Sequence, residues 1–126
     1  MPDPDRELRR VLVIDDDLDF IEVKVLLDDP SLEIIARTNA EAGLQEALRI
    51  PPDIILLDAM MPGGHGLRML DRFQEVDALS RVPVFVTTNL AWEDVQDWVV
   101  RAGVEYVPKI WPPEKFRSRV REALQI

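Results

Sequence analysis

Residues 54–66 read IILLDAMMPGGHG, a nearly all-apolar run that ends at Asp58 and passes into a loop rich in Gly and Pro. A run of this length and composition is typical of a strand buried on both faces of a parallel sheet. Four similar runs flank it along the chain: residues 10–15 (RVLVID), 32–37, 83–88 (PVFVTT) and 105–108. The last run is short and contains a proline, so it suits only an edge strand.

Stretches of helical period separate these runs, as expected of βα units. The second helix opens with Thr38 and Glu41 at the spacing of a capping box, and Gly103 follows the fourth helix as a left-handed terminator. The predicted helices are 18–29, 38–49, 66–75, 91–102 and one that begins at Pro113. Right-handed crossovers then favour an α/β fold with a five-stranded parallel sheet, flavodoxin-like and doubly wound, in the order 2-1-3-4-5.

Length and composition indicate one domain over residues 1–126, with residues 1–8 as an N-terminal tail. The chain has no apolar run long enough for a membrane span and no signal-peptide core, so we expect a cytoplasmic protein that contacts no membrane. The absence of cysteine excludes disulfides, thiolate catalysis and Cys-ligated metals. A net charge of -9 disfavours direct nucleic-acid binding but suits a divalent cation.

Four polar features stand where predicted strands end: Asp15-Asp16-Asp17, Asp58, Thr88 and Lys109. The carboxyl ends of parallel strands share one edge of the sheet, so these side chains should meet. Converging carboxylates suit a hard cation such as Mg²⁺. Phosphoryl transfer needs charge neutralised by a metal and a lysine, and a carboxylate can serve as the nucleophile. Thr88 and Lys109 would then bind phosphoryl oxygens.

The same residues resemble a known family, the response-regulator receivers of two-component signalling. That family's pattern is an acidic pair after strand one, Asp-x-x-Met-Pro-x-x-x-Gly, a Thr or Ser after strand four, and Lys-Pro-Phe. This chain reads VLVIDDD, DAMMPGGHG, PVFVTT and YVPKIW, so the resemblance covers essentially its whole length. The segment that begins at Asp58 is the most specific part.

The resemblance implies a role for each matching position. Asp16 would be a direct metal ligand, Asp15 would act mainly through water, and the backbone carbonyl of Met60 would be another ligand. Asp58 would be the phosphoacceptor and would also touch the Mg²⁺ or Mn²⁺ ion. Lys109 would correspond to the family's lysine.

The family's switch residues also have counterparts. Counting from Pro83 selects Thr88 rather than Thr87 as the switch hydroxyl, and Tyr106 matches the switch aromatic. The resemblance implies a signalling domain rather than a classical enzyme, which assists phosphoryl transfer to its own Asp58 and its slow hydrolysis. Met60 and Leu90 are apolar and cannot orient water, which is the reason to expect slow hydrolysis.

Two departures from the family pattern affect the lysine. The segment 103–109 (GVEYVPK) is one residue shorter than usual, and Ile110 replaces the proline of Lys-Pro-Phe, with Trp111 at the Phe position. A cis bond costs about 2.5 to 4 kcal/mol when the next residue is not proline. We therefore expect a trans Lys109–Ile110 bond and a rebuilt loop.

Partner surfaces are predicted from apolar positions outside the core stripes. On the first helix, Phe20, Val23 and Leu27 form a core stripe, and Ile21 and Val25 form a second apolar line. That second line is either part of a broadly buried helix or a docking patch for a histidine kinase or phosphotransfer protein.

The fourth helix suggests a second partner surface. Its core stripe is predicted to include Trp92, Val95, Val99 and Ala102, which leaves Trp98 outside it. An exposed Trp is a frequent interface anchor, so it favours a downstream protein bound by helix four, strand five and helix five. Basic residues of the last helix would border that surface: Arg117, Arg119 and Arg121.

Two other functions stay open. The chain could be a pseudo-receiver, an interaction module that keeps the fold without phosphorylation. Asp15-Asp16-Asp17 also contains the Asp-x-Asp of haloacid-dehalogenase-like phosphatases, although Asp19 stands where that motif normally has Thr or Val. The phosphatase interpretation leaves the segment 58–66 unexplained.

Overall fold

The computed structural model describes residues 8–17, 26–58 and 66–126, and its centre is a five-stranded parallel sheet. The strand order is β2-β1-β3-β4-β5, as the sequence predicted. The strand bounds agree with the predicted runs to within one residue. They are β1 Arg9–Ile14, β2 Leu32–Arg37, β3 Ile54–Asp58, β4 Val84–Thr88 and β5 Glu105–Pro108.

Four helices are complete among the described residues: α1 Ala40–Arg49, α2 Gly66–Glu75, α3 Trp92–Ala102 and α4 Pro113–Leu124. The predicted first helix falls largely on residues 18–25, which lie outside the described residues. Its last turn is seen at Leu26 and Leu27. Leu26 is fully buried whereas Leu27 is 60% exposed, so the prediction that Leu27 belongs to the core stripe is wrong.

Two apolar clusters cover the two faces of the sheet. On one face, strand residues such as Leu12 and Leu57 pack against Leu44 of α1 and Phe73 of α2. On the other, Val13 and Leu56 belong to a cluster that contains Leu26 and the buried stripe of α4, which comprises Phe116, Val120 and Leu124. Side chains alternate along each strand between the two faces of the sheet. Because both faces are covered, nearly every strand residue is apolar, which accounts for the near-continuous apolar runs.

Capping residues fix the helix ends that border the sheet. The N-cap of α1 is Asn39, whose side chain accepts a hydrogen bond from the Ala42 backbone N–H at 2.8 Å. The predicted capping box at Thr38 is therefore wrong by one residue, because the Asn side chain satisfies the free N–H group. Gly103 has φ of 68° after α3, and Pro113 stands in the first turn of α4, both as predicted.

Helix α1 approaches the end of β1 closely because Gly43 has no side chain. A Cβ atom at Gly43 would lie 2.5 Å from the Cδ1 atom of Ile14, the residue before Asp15. The helix therefore accepts a glycine in its interior, where it is ordinarily unfavourable by roughly 1 kcal/mol. This packing holds the strand end from which the acidic residues emerge.

Helix α3, the fourth predicted helix, faces the core with the predicted Val95, Val99 and Ala102 and differs from the prediction at its two tryptophans. Val95 and Val99 are buried, but Trp92 is 38% exposed. Trp98 is half-buried and, like Ala102, packs against the apolar cluster that contains Phe73. It follows Val95 by three residues and therefore lies on the same face of the helix. The expected exposure of Trp98 is thus wrong. Across the described residues, no helix is both long and apolar enough to span a bilayer.

Candidate functional site

Three carboxylates meet at the carboxyl edge of the sheet. Asp15 follows β1 and Asp58 ends β3, and Asp16 stands beside them. One oxygen from each of the three lies within 4.8 Å of the others. Asp15 and Asp58 are buried, at 0% and 5% exposure, whereas Asp16 is exposed. The cluster therefore combines two acids held by the sheet with one that is open to solvent.

Lys109 reaches this cluster in spite of the shortened segment that precedes it. Its Nζ lies 2.8 Å from Asp15 Oδ2 and 3.5 Å from Asp58 Oδ2. The backbone N–H of Lys109 donates to the Thr88 carbonyl at 2.9 Å, which anchors the residue at the end of β4. Every peptide bond among the described residues is trans, including Lys109–Ile110, as expected. The rebuilt loop thus leaves the lysine within reach of both acids.

Burial and the neighbouring charges together shift the pKa values of Asp15 and Lys109, which form the shortest ion pair of the cluster. Burial raises the pKa of Asp15 to about 6, while its contacts with Lys109 and the Asp17 N–H act in the opposite direction. Burial also opposes the charge on Lys109, but Asp15 and Asp58 outweigh it and raise the pKa of the ammonium. The lysine is therefore charged at neutral pH, and the acids around it outnumber it.

Thr88 borders the same open cleft, which has a volume of about 350 Å³. Its hydroxyl is buried and accepts a hydrogen bond from the Leu90 N–H at 3.1 Å. The lining residues are Asp16, Asp17, Asp58, Thr88, Asn89, Leu90 and Lys109. Asn89 is a neighbour that the sequence interpretation missed, although its position next to Thr88 could have indicated it.

Tyr106 is connected to this cleft through Leu90. The Tyr106 hydroxyl donates to the Leu90 carbonyl at 2.7 Å, and its ring lies 5.4 Å from that of Trp92 at an interplanar angle of 58°. Burial, with Glu93 and Asp94 nearby, raises the pKa of Tyr106. The phenol is neutral at physiological pH and acts as a donor, so it joins β5 to the loop that follows Thr88.

Several predicted residues lie away from this group or outside the described residues. Met60, Ile21 and Val25 belong to the undescribed ranges, so their predicted roles stay predictions. The arginines expected to border an output surface are engaged in ion pairs: Arg117 with Glu114, Arg119 with Glu105 and Glu122, and Arg121 with Asp29. Ile110, beside Lys109, is 88% exposed.

The donor set fits a hard divalent cation. All three candidate donors are carboxylate oxygens, and they surround a position open to water on the side of Asp16. Mg²⁺ and Mn²⁺ bind through one or two carboxylates and retain water ligands. The excess of negative charge over the single Lys109 ammonium also favours a cation here.

Comparison with known proteins agrees with this geometry. Residues 11–121 match the family model of the response regulator receiver domain. The chain is 34% identical over 95 residues to the nitrate/nitrite response regulator protein NarL of Escherichia coli strain K12, covering 75% of this chain and 44% of NarL. It therefore spans less than half of that relative's length.

Solved structures share the fold. A putative response regulator from Chloroflexus aurantiacus gives a TM-score of 0.83 at 22% identity, covering 94% of this chain and 98% of the other. The Mn²⁺-bound form of response regulator Rcp1 gives a TM-score of 0.76 at 22% identity, with 90% of each chain covered.

Proposed function

Since the chain belongs to the response regulator receiver domain family, we propose that Asp58 is its phosphoacceptor and that a histidine kinase or phosphotransfer protein is the donor. The domain is a module of two-component signalling. Asp15, Asp16 and Asp58 lie together at the edge of the sheet, with the Lys109 ammonium 3.5 Å from Asp58, and this arrangement supports Asp58 as the phosphoacceptor. Such a site has both a carboxylate that can accept a phosphoryl group and an ammonium that can balance the charge of that group.

Asp15, Asp16 and Asp58 are the residues that would hold Mg²⁺ or Mn²⁺. The Mn²⁺-bound form of response regulator Rcp1, which shares this fold, supports this choice of cation. When bound, the ion neutralises negative charge on the acids and on the incoming phosphoryl oxygens. Asp15, which has no exposed surface, supplies its charge from beneath the cleft.

The chain's own residues account for the remaining steps. A carboxylate oxygen of Asp58 attacks phosphorus as the donor's P–N bond breaks, and the donor histidine leaves as neutral imidazole after taking up a proton. Lys109 pairs with a phosphoryl oxygen, and its buried setting strengthens that interaction. The result is an acyl phosphate on Asp58.

Thr88 and Tyr106 would convert this event into a change of shape. In the present state the Thr88 hydroxyl faces Leu90 N–H, and Tyr106 bonds the Leu90 carbonyl. We infer a population shift in which Thr88 and Lys109 move towards phosphorylated Asp58 and Tyr106 follows. Leu90 lies between the two switch residues, so its backbone is the physical connection.

Incubation with acetyl phosphate and Mg²⁺, followed by intact-mass and peptide mapping, tests the proposal. We expect a stable gain of about 80 Da on Asp58. Asp58→Asn should remove it, and the exposed Asp71→Asn is the matched control that should retain it. A wild-type chain that takes up no phosphoryl group would favour the pseudo-receiver, and continuous turnover of acetyl phosphate would favour a phosphatase.

The switch is tested by Thr88→Ala. This variant should become phosphorylated yet lose the change in environment of Tyr106, followed by its intrinsic fluorescence or by NMR. A wild-type response in that variant would remove Thr88 from the switch.

Slow hydrolysis is a separate expectation. Leu90 lines the cleft and offers no polar side chain to orient an attacking water. The phosphoryl group should persist well beyond seconds after acetyl phosphate is removed, and a lifetime of seconds would contradict this.

A further inference from the structure

Thr87, the neighbour of the switch threonine, has a hydroxyl that the proposed mechanism does not use. Its side chain is 2% exposed, and among residues 8–17, 26–58 and 66–126 its Oγ1 has no hydrogen-bond partner. A buried hydroxyl without a partner is unfavourable, because it has lost its bonds to water. A second arrangement of the site that satisfies it would therefore be favoured.

The strand register puts Thr87 in the layer of the acidic site. In the sheet, Thr87 pairs with Asp58 on one side and with Val107 on the other. Registered neighbours of parallel strands point to the same face and are roughly 5 Å apart. Thr87 is thus one strand away from the proposed phosphoacceptor and directly precedes Thr88, which lines the cleft.

The Lys109 side chain has to cross this position. Lys109 follows β5, and its ammonium contacts Asp15 after β1 and Asp58 at the end of β3. Three strand spacings, roughly 14 Å, separate β5 from β1, and β4 lies between them. An ammonium that moves away from Asp15 moves back towards β4, the strand on which Thr87 pairs with Asp58.

We propose that Thr87 is a positioning residue for Lys109. The Thr87 hydroxyl accepts a hydrogen bond from the ammonium as a phosphoryl group arriving at Asp58 draws the ammonium away from Asp15. The inference rests on the proposed function. The ammonium has three donors, so it can bind a phosphoryl oxygen and Thr87 together. The hydroxyl that is unsatisfied before phosphorylation then gains a charged partner, which stabilises the phosphorylated arrangement over the resting one.

Two substitutions separate this role from a packing role. Thr87→Val keeps the shape and removes only the hydroxyl, and Thr87→Ser keeps the hydroxyl. The exposed Thr38→Val is the matched control. The readouts are the rate of phosphorylation by acetyl phosphate with Mg²⁺ and the melting temperature of each unphosphorylated protein.

We expect Thr87→Val to be phosphorylated about tenfold more slowly, the loss of one hydrogen bond to a charged group. Its melting temperature should be equal to or above that of the wild type, while Thr87→Ser and Thr38→Val react at the wild-type rate. A wild-type rate in Thr87→Val, or a fall in both rate and melting temperature, overturns the proposal. If the wild-type chain itself takes up no phosphoryl group, the proposed function is wrong and this inference falls with it.

Discussion

Two clusters of charged side chains in this domain have opposite balances. At the carboxyl edge of the sheet, Asp15, Asp16 and Asp58 surround one ammonium, that of Lys109. Elsewhere a single carboxylate, Glu46 of α1, is surrounded by three guanidinium groups at 2.6, 3.1 and 3.4 Å, from Arg49, Arg37 and Arg10. Asp15, Asp58 and Glu46 are all buried, so the two clusters differ in the number of cations that offset this burial.

The difference appears in how easily each acid ionises. Burial raises the pKa of Asp15 to about 6. The hydrogen bond from Arg49, with further help from Arg37, lowers the pKa of Glu46 despite its burial. A carboxylate with surplus cations is satisfied within the fold and ties α1 to β1 and β2. Carboxylates with a deficit of cations favour binding of one from solution, which is the property that a phosphoryl-transfer site needs.

The largest expected effect is at the lysine. Lys109→Gln removes the ammonium that both buried acids contact, so phosphorylation by acetyl phosphate should slow about 100-fold, as on removal of one charge-stabilising group. Intact-mass spectrometry over time measures the rate. A Gln variant that reacted as fast as the wild type would contradict a role for the Lys109 charge in phosphoryl transfer. Gln keeps most of the aliphatic part of the Lys side chain, so the variant should fold. Circular dichroism checks that it does.

Glu46→Gln should affect stability rather than phosphorylation. The pKa of Glu46 is lowered by folding, so its stabilising effect is complete above the ordinary value of 4.5 and is lost as pH falls through the lower folded value. The variant should have a lower melting temperature than the wild type at pH 7, and the gap should shrink as the pH falls below about 4.5. A gap that is constant with pH would show that the Glu46 charge is not what matters.

The smallest effect is expected for Arg37→Gln. The Arg37 side chain is 38% exposed, and Glu46 would retain Arg49 and Arg10. We expect a loss of roughly 0.5 kcal/mol in the free energy of unfolding, the usual size for a partly exposed pair. Urea denaturation measures it. A much larger loss would mean that Glu46 needs all three arginines together, and that Arg49 and Arg10 cannot compensate for the loss of Arg37.

The sequence predicted the sheet and the acidic edge because both follow from local patterns. Apolar runs identify the strands, and each of Asp15, Asp58, Thr88 and Lys109 directly follows or ends one. Contacts between distant segments were not predictable in this way. The contact of Glu46 with Arg10 and Arg37 depends on how α1 lies across two strands, and no short-range pattern encodes that packing.

Single helix faces were also predicted imperfectly. Trp98 packs inward and Trp92 lies outward beside Tyr106, because the core beneath α3 is set by its neighbours rather than by the apolar pattern alone. The Asn39 cap was missed because Thr38 and Glu41 gave a competing signal one residue away. Tertiary packing, rather than the local sequence pattern, decides which face of a helix is buried and at which residue the helix begins.

Binding of Mn²⁺ at neutral pH, followed by electron paramagnetic resonance of the free ion, tests the central claim most directly. The wild type and Glu46→Gln should each bind one ion with similar affinity, whereas Asp16→Asn and Asp58→Asn should bind it far more weakly. Equal binding by all four proteins, or no binding by the wild type, would contradict the claim that the excess of acids at the sheet edge forms a cation site.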